Sequence, residues 1–193
     1  MIYNKEKPDF KFSYLKNYNI VKIKEIIQNL EKEWLLDTSR QELFDVHKYT
    51  ESYIINKVSL NWEENTPLNS ISKAEVTELS SLAFEIAKDL ERELDGTMGQ
   101  VLFIKLEAGK EISEHTDSGN YLYRAARHHI PIITNPGVIF IIDGEGKHIP
   151  EGECWEINNN RTHGVKNNGE EDRIHLLIDI IPNKYINSIN NKH

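Results

Sequence analysis

The sequence predicts a mainly β protein, a double-sheet jelly roll with N-terminal helices packed on one of its sheets. From Met98 onward the 193-residue chain alternates short apolar runs with turn residues, which gives about eight strands in residues 98–182. Two of these runs, at 138–142 and 173–181, are apolar on nearly both faces, so a second layer must cover one sheet. Amphipathic helical patterns before Gly96 supply that cover.

Two amphipathic helices are predicted in the first half of the chain. The first spans residues 19–36, where apolar side chains recur on one face at Ile23, Ile27, Leu30 and Trp34. The second starts from a Ser72-x-x-Glu75 capping box and ends at Gly96. Its apolar stripe consists of Val76, Leu79, Ala83, Ile86, Leu90 and Leu94. Between the helices, the β-rich residues 52–58 predict a strand.

The strands of the jelly roll, also called a cupin-like barrel, follow in order and are separated by turn residues. They are predicted at residues 101–107, 112–115, 121–133, 138–142, near His148, and at 153–157, 162–166 and 173–181. We therefore expect one domain of residues 1–193. It would consist of a helical cover layer with a leading strand in 1–97, the β core in 98–182 and a polar tail in 183–193.

Composition excludes several classes of partner. The chain has 31 acidic and 23 basic residues and a net charge of −8, which disfavours nucleic acids and anionic membranes as partners. Its single cysteine, Cys154, excludes an intramolecular disulfide and a Cys-rich zinc site. The sequence has no signal-peptide pattern and no apolar run of about 18 residues. We therefore expect a complete cytoplasmic protein, and we leave its oligomeric state open.

A His-x-Asp pair at the end of an early strand is the first candidate for chemistry. Because side chains alternate along a strand, His115 and Asp117 are expected to point to the same face. Such a pair is weak evidence by itself, since a chance pair or an aspartate that caps a turn explains it more often than a metal site does. His163, on a later strand of the same barrel, can complete a set of two imidazoles and one carboxylate. That set is the facial triad of non-haem Fe(II) oxygenases.

Arg173 strengthens the case for His163. The turn Asn167-Asn168-Gly169 predicts a three-residue hairpin loop, and in that register His163 and Arg173 lie opposite each other and face the same side. A guanidinium inside the barrel requires an anionic partner, and a carboxylate fits its planar fork. That partner is either a bound diacid or an internal Asp or Glu. Arg127 and His129, which share one strand face, offer a second anion-binding position.

Other polar residues of the core receive structural interpretations. His175, on the final strand, is expected to be a packed and hydrogen-bonded barrel residue. Asn158 and Asn159 are expected to be turn residues, although both could also line the mouth of the cavity.

Four stretches of the sequence, taken in order, resemble one known family. They are His115-Thr116-Asp117, Arg127-His128-His129-Ile130-Pro131-Ile132-Ile133-Thr134-Asn135, Gly152-Glu153-Cys154-Trp155-Glu156-Ile157-Asn158-Asn159, and His163 followed by Arg173. In this combination, residues 98–182 resemble the aspartyl/asparaginyl β-hydroxylases. These are Fe(II)- and 2-oxoglutarate-dependent dioxygenases, and the family includes bacterial hydroxylases of free amino acids such as proline.

The resemblance implies a double-stranded β-helix fold and a set of site residues. The implied iron ligands, which are also the implied catalytic residues, are His115, Asp117 and His163. Arg173 would bind the distal carboxylate of the cosubstrate 2-oxoglutarate, and Arg127 and His129 would assist with the cosubstrate. The implied cofactors are Fe(II), 2-oxoglutarate and O2. The implied substrate is an amino acid, free or within a peptide or protein.

Two alternative functions use the same barrel. The first is a cupin-type metal enzyme, an isomerase or hydrolase, that uses the His, Asp and His ligands without 2-oxoglutarate. Such an enzyme would have no use for Arg173 near the metal. The second is a non-catalytic ligand-binding barrel, whose affinity for its ligand would survive removal of the metal. Because fold alone does not decide function, the distinction depends on the geometry of the site.

Overall fold

Two antiparallel β-sheets form the framework of the protein in the computed structural model, which describes residues 9–30 and 48–186. The strands are β1 (Phe12–Asn17), β2 (Thr50–Val58), β3 (Ser70–Lys73), β4 (Gly96–Leu106), β5 (Glu111–His115), β6 (Ala126–Ile133), β7 (Val138–Ile142), β8 (Glu145–Lys147), β9 (Glu153–Ile157), β10 (His163–Asn167) and β11 (Arg173–Pro182). Within the described residues, the larger sheet has the order β1-β9-β6-β11-β4-β2-β3 and the smaller sheet the order β5-β10-β7-β8. This arrangement confirms the predicted jelly roll.

Helices cover the outer face of the larger sheet. They are α1 (Val21–Gln28) and α2 (Glu78–Glu93), while the short α3 (Asn120–Arg124) precedes β6 and a 3-10 turn (Asn183–Tyr185) follows β11. Leu79, Ala83, Ile86 and Leu90 form the buried stripe of α2 and pack in one cluster with outward-facing residues of the sheet such as Leu176. None of the described helices is long and apolar enough to cross a membrane.

The N-terminus of α2 differs from the prediction. Ser72 lies in β3, and the helix is capped instead by Thr77, whose side chain accepts a hydrogen bond from the Ser80 amide at 3.1 Å. The Ser80 hydroxyl in turn accepts one from the Thr77 amide at 2.8 Å, so the reciprocal capping box uses two hydroxyl groups. Val76 therefore lies before the helix and is 94% exposed, and the apolar stripe begins only at Leu79.

Strands β1 and β3 are not predicted from the sequence, and two of the predicted elements differ from those in the structure, whereas the boundaries of the others are close to the predictions. Residues 121–133 do not form one strand, because the first part folds as α3 and buries Tyr121 beside Val58 and Trp62. The predicted helix over 19–36 ends at Gln28, and its part from residue 31 onward, including Trp34, lies outside the described residues. The polar tail is described only to residue 186.

The predicted hairpin between the last two strands is wrong. Strand β10 pairs with β5 and β7 in the smaller sheet, whereas β11 pairs with β4 and β6 in the larger sheet. The turn residues Asn167, Asn168 and Gly169 therefore connect two sheets instead of two neighbouring strands. Local turn chemistry does not distinguish these two outcomes, because the partner of each strand is set by tertiary packing.

Strand β11 separates the apolar core from the cavity of the jelly roll. Its residues are buried from Arg173 through Ile181, which explains the apolar run in the sequence. One face, with Ile174, Leu176, Ile178 and Ile180, packs against the helical layer. The alternate side chains, which include Arg173 and Leu177, face the space between the two sheets.

Cys154 provides a test of the packing beneath the helices. The thiol is buried on β9, and burial, followed by the Glu93 carboxylate, raises its pKa from 9.0 to about 12. Between these pH values the unfolded chain loses the thiol proton and the folded chain keeps it, so stability falls as pH rises. Cys154→Ala should remove up to about 1.4 kcal/mol of this loss per pH unit. Urea unfolding at a series of alkaline pH values measures the effect, and an unchanged slope would contradict the buried thiol.

Candidate active site

A cavity that opens to solvent lies between the two sheets. Its walls combine apolar side chains with a few ionisable ones from strands that are distant in sequence. The lining residues are Ile104, Ile112, His115, Asp117, Arg127, His129, Phe140, Ile157, His163, Gly164, Val165, Arg173 and Leu177. All six site residues named from the sequence are among them.

The two predicted imidazole ligands form a cross-strand pair in the smaller sheet. His115 at the end of β5 is the register partner of His163 at the start of β10, and their ring centroids are 4.5 Å apart. The Asp117 Oδ1 atom lies 3.7 Å from the His115 Nε2 atom. One ligand atom from each of the three residues lies within 4.8 Å of the others, which is a spacing that one metal ion can span.

Main-chain carbonyl groups set the orientation of both imidazoles. The Nδ1 atom of His115 lies 2.8 Å from the Ser113 oxygen, and Nδ1 of His163 lies 2.9 Å from the Arg161 oxygen. Because a carbonyl oxygen can only accept, each Nδ1 carries the hydrogen and each Nε2 presents its lone pair. Burial lowers the pKa of His163, which favours the neutral form that binds a metal. Each carbonyl group belongs to the residue two positions before its histidine. Because every residue has a main-chain carbonyl, the residue types in the sequence do not reveal these bonds.

Asp117 is held through one of its two oxygens. Arg127 Nη1 donates to Oδ2 at 2.6 Å, and Asn159 Nδ2 donates to the same oxygen at 3.2 Å. The other oxygen, Oδ1, faces the imidazoles and can act as a single-oxygen ligand. Burial alone would raise the pKa of Asp117, but Arg127 and then His163 outweigh it, so the pKa lies below its ordinary value. Asn159 therefore supports the metal ligand, a role that the expectation of a simple turn residue missed.

Arg127 is itself fixed by a second carboxylate. Its Nε and Nη2 atoms donate to the two oxygens of Asp179 at 2.9 and 3.0 Å, and the two residues are register partners on β6 and β11. The Tyr121 hydroxyl donates to Asp179 at 3.1 Å and accepts from the Gln100 amide at 2.8 Å. Gly99 leaves room for this hydroxyl, since a Cβ there would lie 2.2 Å from it. The planar fork of Arg127 is thereby aimed at Asp117.

Sequence reasoning missed Asp179 and Tyr121, although one signal was available. Asp179 interrupts an otherwise apolar strand, and a fully buried carboxylate requires a charged or hydrogen-bonding partner. The alternation of β11 places Asp179 on the same face as Arg173, which marks it as a residue of the cavity side.

Arg173 reaches the cavity from the sheet opposite the imidazoles. Its register partner is Leu106 on β4, and the expectation that it pairs across a hairpin with His163 is therefore wrong. The side chain is 1% exposed, and its guanidinium carbon lies 5.0 Å from the centroid of the Phe140 ring. Arg173 thus faces His163 across the space between the sheets, and both residues line one cavity.

Two further imidazoles lie near Arg173. The His129 ring lies 5.0 Å from that of Phe140, and burial, then Arg173, holds the pKa of His129 well below its ordinary value. His175 is packed as expected, at 5.4 Å from the Phe140 ring. Within residues 9–30 and 48–186, however, neither ring nitrogen of His175 has a hydrogen-bond partner. The expectation of a hydrogen-bonded barrel residue is therefore wrong.

The donor set fits Fe(II). Two imidazole nitrogens and one carboxylate oxygen converge from one side, and the other side faces the cavity, where further ligands can enter. A model of the aspartyl/asparaginyl β-hydroxylase family matches residues 23–182. The chain belongs to this family. The match confirms the resemblance read from the sequence and the assignment as a 2-oxoglutarate-dependent hydroxylase.

Solved structures share the fold of this β-hydroxylase family member at low identity. The viral collagen prolyl hydroxylase of Paramecium Bursaria Chlorella virus-1, solved with 2-oxoglutarate, has a TM-score of 0.59 at 9% identity over 90% of this chain and 96% of its own. An oxidoreductase of the 2OG-Fe(II) oxygenase family from Burkholderia pseudomallei has a TM-score of 0.61 at 11% identity, over 93% of this chain and 88% of its own. HygX from Streptomyces hygroscopicus, solved with nickel and 2-oxoglutarate, has a TM-score of 0.58 at 12% identity, over 89% of this chain and 83% of its own. No curated protein matches the sequence.

Asp179 is expected to support metal affinity without touching the metal. In Asp179→Asn the Arg127 fork loses its second carboxylate and is free to pair with both oxygens of Asp117, which removes Oδ1 from the metal. We expect Fe(II) affinity to fall by about 10- to 100-fold, the range typical of residues that orient metal ligands. Anaerobic calorimetric titration with Fe(II) measures this change.

Two further variants complete this test. Asp172→Asn alters an exposed aspartate whose amide replacement can still accept from the Ala108 amide, and its Fe(II) affinity should equal that of the parent. Tyr121→Phe removes only the hydroxyl bonded to Asp179 and should give a smaller loss, which covers the case that Asp179→Asn does not fold. Parental Fe(II) affinity in both Asp179→Asn and Tyr121→Phe would contradict the supporting role.

Proposed function

We propose that this protein is an Fe(II)- and 2-oxoglutarate-dependent dioxygenase that hydroxylates an amino acid, free or within a peptide or protein. The observation that supports it best is a triad of two histidines and one aspartate facing a buried arginine across one cavity. A cupin-type metal enzyme that does not use 2-oxoglutarate would need only the triad. Arg173 in the opposite wall of the cavity would in addition bind an anion such as 2-oxoglutarate, which that enzyme does not use.

His115, Asp117 and His163 would hold the iron, each through one atom. When bound, Fe(II) together with 2-oxoglutarate and O2 supplies the oxidation, placing one oxygen atom in a substrate C–H bond and the other in succinate, with release of CO2. The protein contributes position and shielding. Among residues 9–30 and 48–186, three side chains form the candidate metal-binding group, which leaves room for a keto acid and oxygen on the cavity side.

Arg173 would bind the distal carboxylate of 2-oxoglutarate. The guanidinium lies over the Phe140 ring in a largely apolar cavity wall, where a charge-assisted hydrogen bond is stronger than in water. Arg127 and His129 are proposed to assist with the cosubstrate. Arg127 uses three of its five N–H groups on Asp117 and Asp179, so that two remain for a ligand.

The substrate is best found by a turnover screen. Common amino acids and short peptides containing Asp or Asn should be offered with Fe(II), 2-oxoglutarate and O2. The true substrate accelerates the conversion of 2-oxoglutarate to succinate and gains the mass of one oxygen atom. A substrate of another chemical class would redirect the proposal toward small molecules other than amino acids.

The metal and cosubstrate can be tested together without oxygen. Fe(II) and 2-oxoglutarate added anaerobically should give the visible charge-transfer band of a metal-bound keto acid. His163→Ala removes one of three ligands and should abolish both this band and succinate formation while the protein stays folded. His148→Ala, outside the cavity, is the matched control and should keep both. A folded protein without the band, or a band that survives in His163→Ala, contradicts the proposal.

Arg173→Lys tests the distal carboxylate site. An ammonium group cannot reproduce the planar fork, so 2-oxoglutarate affinity should fall by about tenfold or more. Fe(II) affinity should stay within about twofold of the parent, because Arg173 is not one of the three residues that can hold the metal. Anaerobic titrations of Fe(II) alone and of 2-oxoglutarate in the presence of Fe(II) separate the two affinities. Equal loss of both, or loss of neither, would contradict the assignment.

A further inference from the structure

His175 is a buried imidazole whose position is not explained by packing. It is fully buried on β11, and among the described residues neither Nδ1 nor Nε2 has a hydrogen-bond partner. A buried polar group without a partner costs about 1–3 kcal/mol of stability. An apolar side chain of similar size would fill the same space without that cost, so the imidazole needs a reason that lies outside the folding of the chain.

The surroundings of His175 belong to the cosubstrate end of the cavity. Alternation along β11 places it on the same face as Arg173 and Leu177, which both line the cavity. Its ring centroid lies 5.4 Å from that of Phe140 and 5.8 Å from that of His129. The Arg173 guanidinium stands over the same Phe140 ring at 5.0 Å. His175 is not itself a lining residue of the cavity, but its ring packs against two lining residues, Phe140 and His129, next to the proposed site of the distal carboxylate.

The charge state of His175 suits an anion-binding role beside an arginine. Burial is the largest cause that lowers its pKa far below the ordinary value, followed by Arg173, His129 and His148. The imidazole is thus neutral and has one N–H donor and one acceptor nitrogen. It can donate a hydrogen bond without bringing a second positive charge against the guanidinium.

We infer that His175 donates its ring N–H to the distal carboxylate of 2-oxoglutarate, alongside Arg173, and so selects a dicarboxylic keto acid. The inference rests on the proposed function and adds a specificity residue to it. A carboxylate offers about four lone-pair positions, of which a guanidinium fork occupies two, so that a further donor can be accommodated. The buried nitrogen, which has no partner in the part of the chain that the structure describes, gains one from the ligand.

The test compares two keto acids of equal length in two proteins. Binding of 2-oxoglutarate and of 2-oxopentanoate, which carries a methyl group in place of the distal carboxylate, is measured anaerobically in the presence of Fe(II). His175→Leu should weaken 2-oxoglutarate by about tenfold or more, since hydrogen bonds to charged groups are the strong ones. The same variant should bind 2-oxopentanoate within about twofold of the parent. His175→Gln, which keeps an N–H donor, should recover part of the 2-oxoglutarate affinity.

Thermal unfolding without ligand separates this role from a structural one. Replacing an imidazole without hydrogen-bond partners by Leu should leave the unfolding temperature unchanged or raise it. A lower unfolding temperature together with equal weakening of both keto acids would assign His175 to packing and overturn the inference. His175→Phe, which keeps a ring of similar shape and removes both nitrogens, provides the same comparison if the Leu variant does not fold.

The failure of this inference is distinguishable from failure of the proposed function. If the parent protein with Fe(II) does not bind 2-oxoglutarate, the proposed function is wrong and the inference falls with it. If the parent binds 2-oxoglutarate and His175→Leu or His175→Phe binds it equally well, only the role of His175 is overturned. Fe(II) affinity measured alone should be the same in the parent and in the His175 variants.

Discussion

The site depends on a balance of charges that the protein buries. Two carboxylates, Asp117 and Asp179, and two guanidinium groups, Arg127 and Arg173, lie at or next to the cavity with 11% exposure or less. Their charges sum to zero, and the histidines whose pKa values are lowered are neutral. An uncompensated charge in such a site costs several kcal/mol. A divalent metal and a dianionic keto acid also sum to zero, so binding either one alone would upset the balance, whereas binding both keeps it. The electrostatics of the site therefore favour joint binding of the metal and the keto acid.

The jelly roll brings these charges together through two cross-strand pairs. His115 and His163 are register partners in the smaller sheet, and Arg127 and Asp179 are register partners in the larger one. Asp117, just after β5, joins them because one oxygen accepts from Arg127 while the other faces the imidazoles. A one-residue slip in either pairing would turn a partner away from the cavity. The apolar packing of α1 and α2 on the outer face of the larger sheet is thus part of what holds the metal site in register.

Much of this arrangement follows from the sequence, and the parts that do not have a common cause. Alternation was enough to place His115, Asp117, Arg127 and His129 toward one interior, and apolar runs gave most strands. The sequence does not indicate which strands are neighbours in a sheet. Arg173 was therefore expected in a hairpin beside His163, although it lies in the opposite sheet. The start of α2 shows the same limit. The predicted cap residue Ser72 lies in β3, which pairs with β2, and the helix is capped by Thr77 instead. Asp179 was readable as a charge in an apolar strand, yet its partner Arg127 was not.

Two buried histidines near Arg173 depart from ordinary packing. The Nδ1 atom of His129 and both ring nitrogens of His175 are buried without hydrogen-bond partners among the described residues, whereas the imidazoles of the triad each bond a main-chain oxygen. If packing were the only requirement, Leu or Phe would fill both positions at lower cost. A protein retains such groups when binding a ligand satisfies them, because the stability lost in the free state returns as affinity in the complex. His129 and His175 contact the same phenylalanine ring as Arg173. Their unpartnered nitrogens therefore favour, as the ligand, an anion with more acceptor positions than one guanidinium can fill.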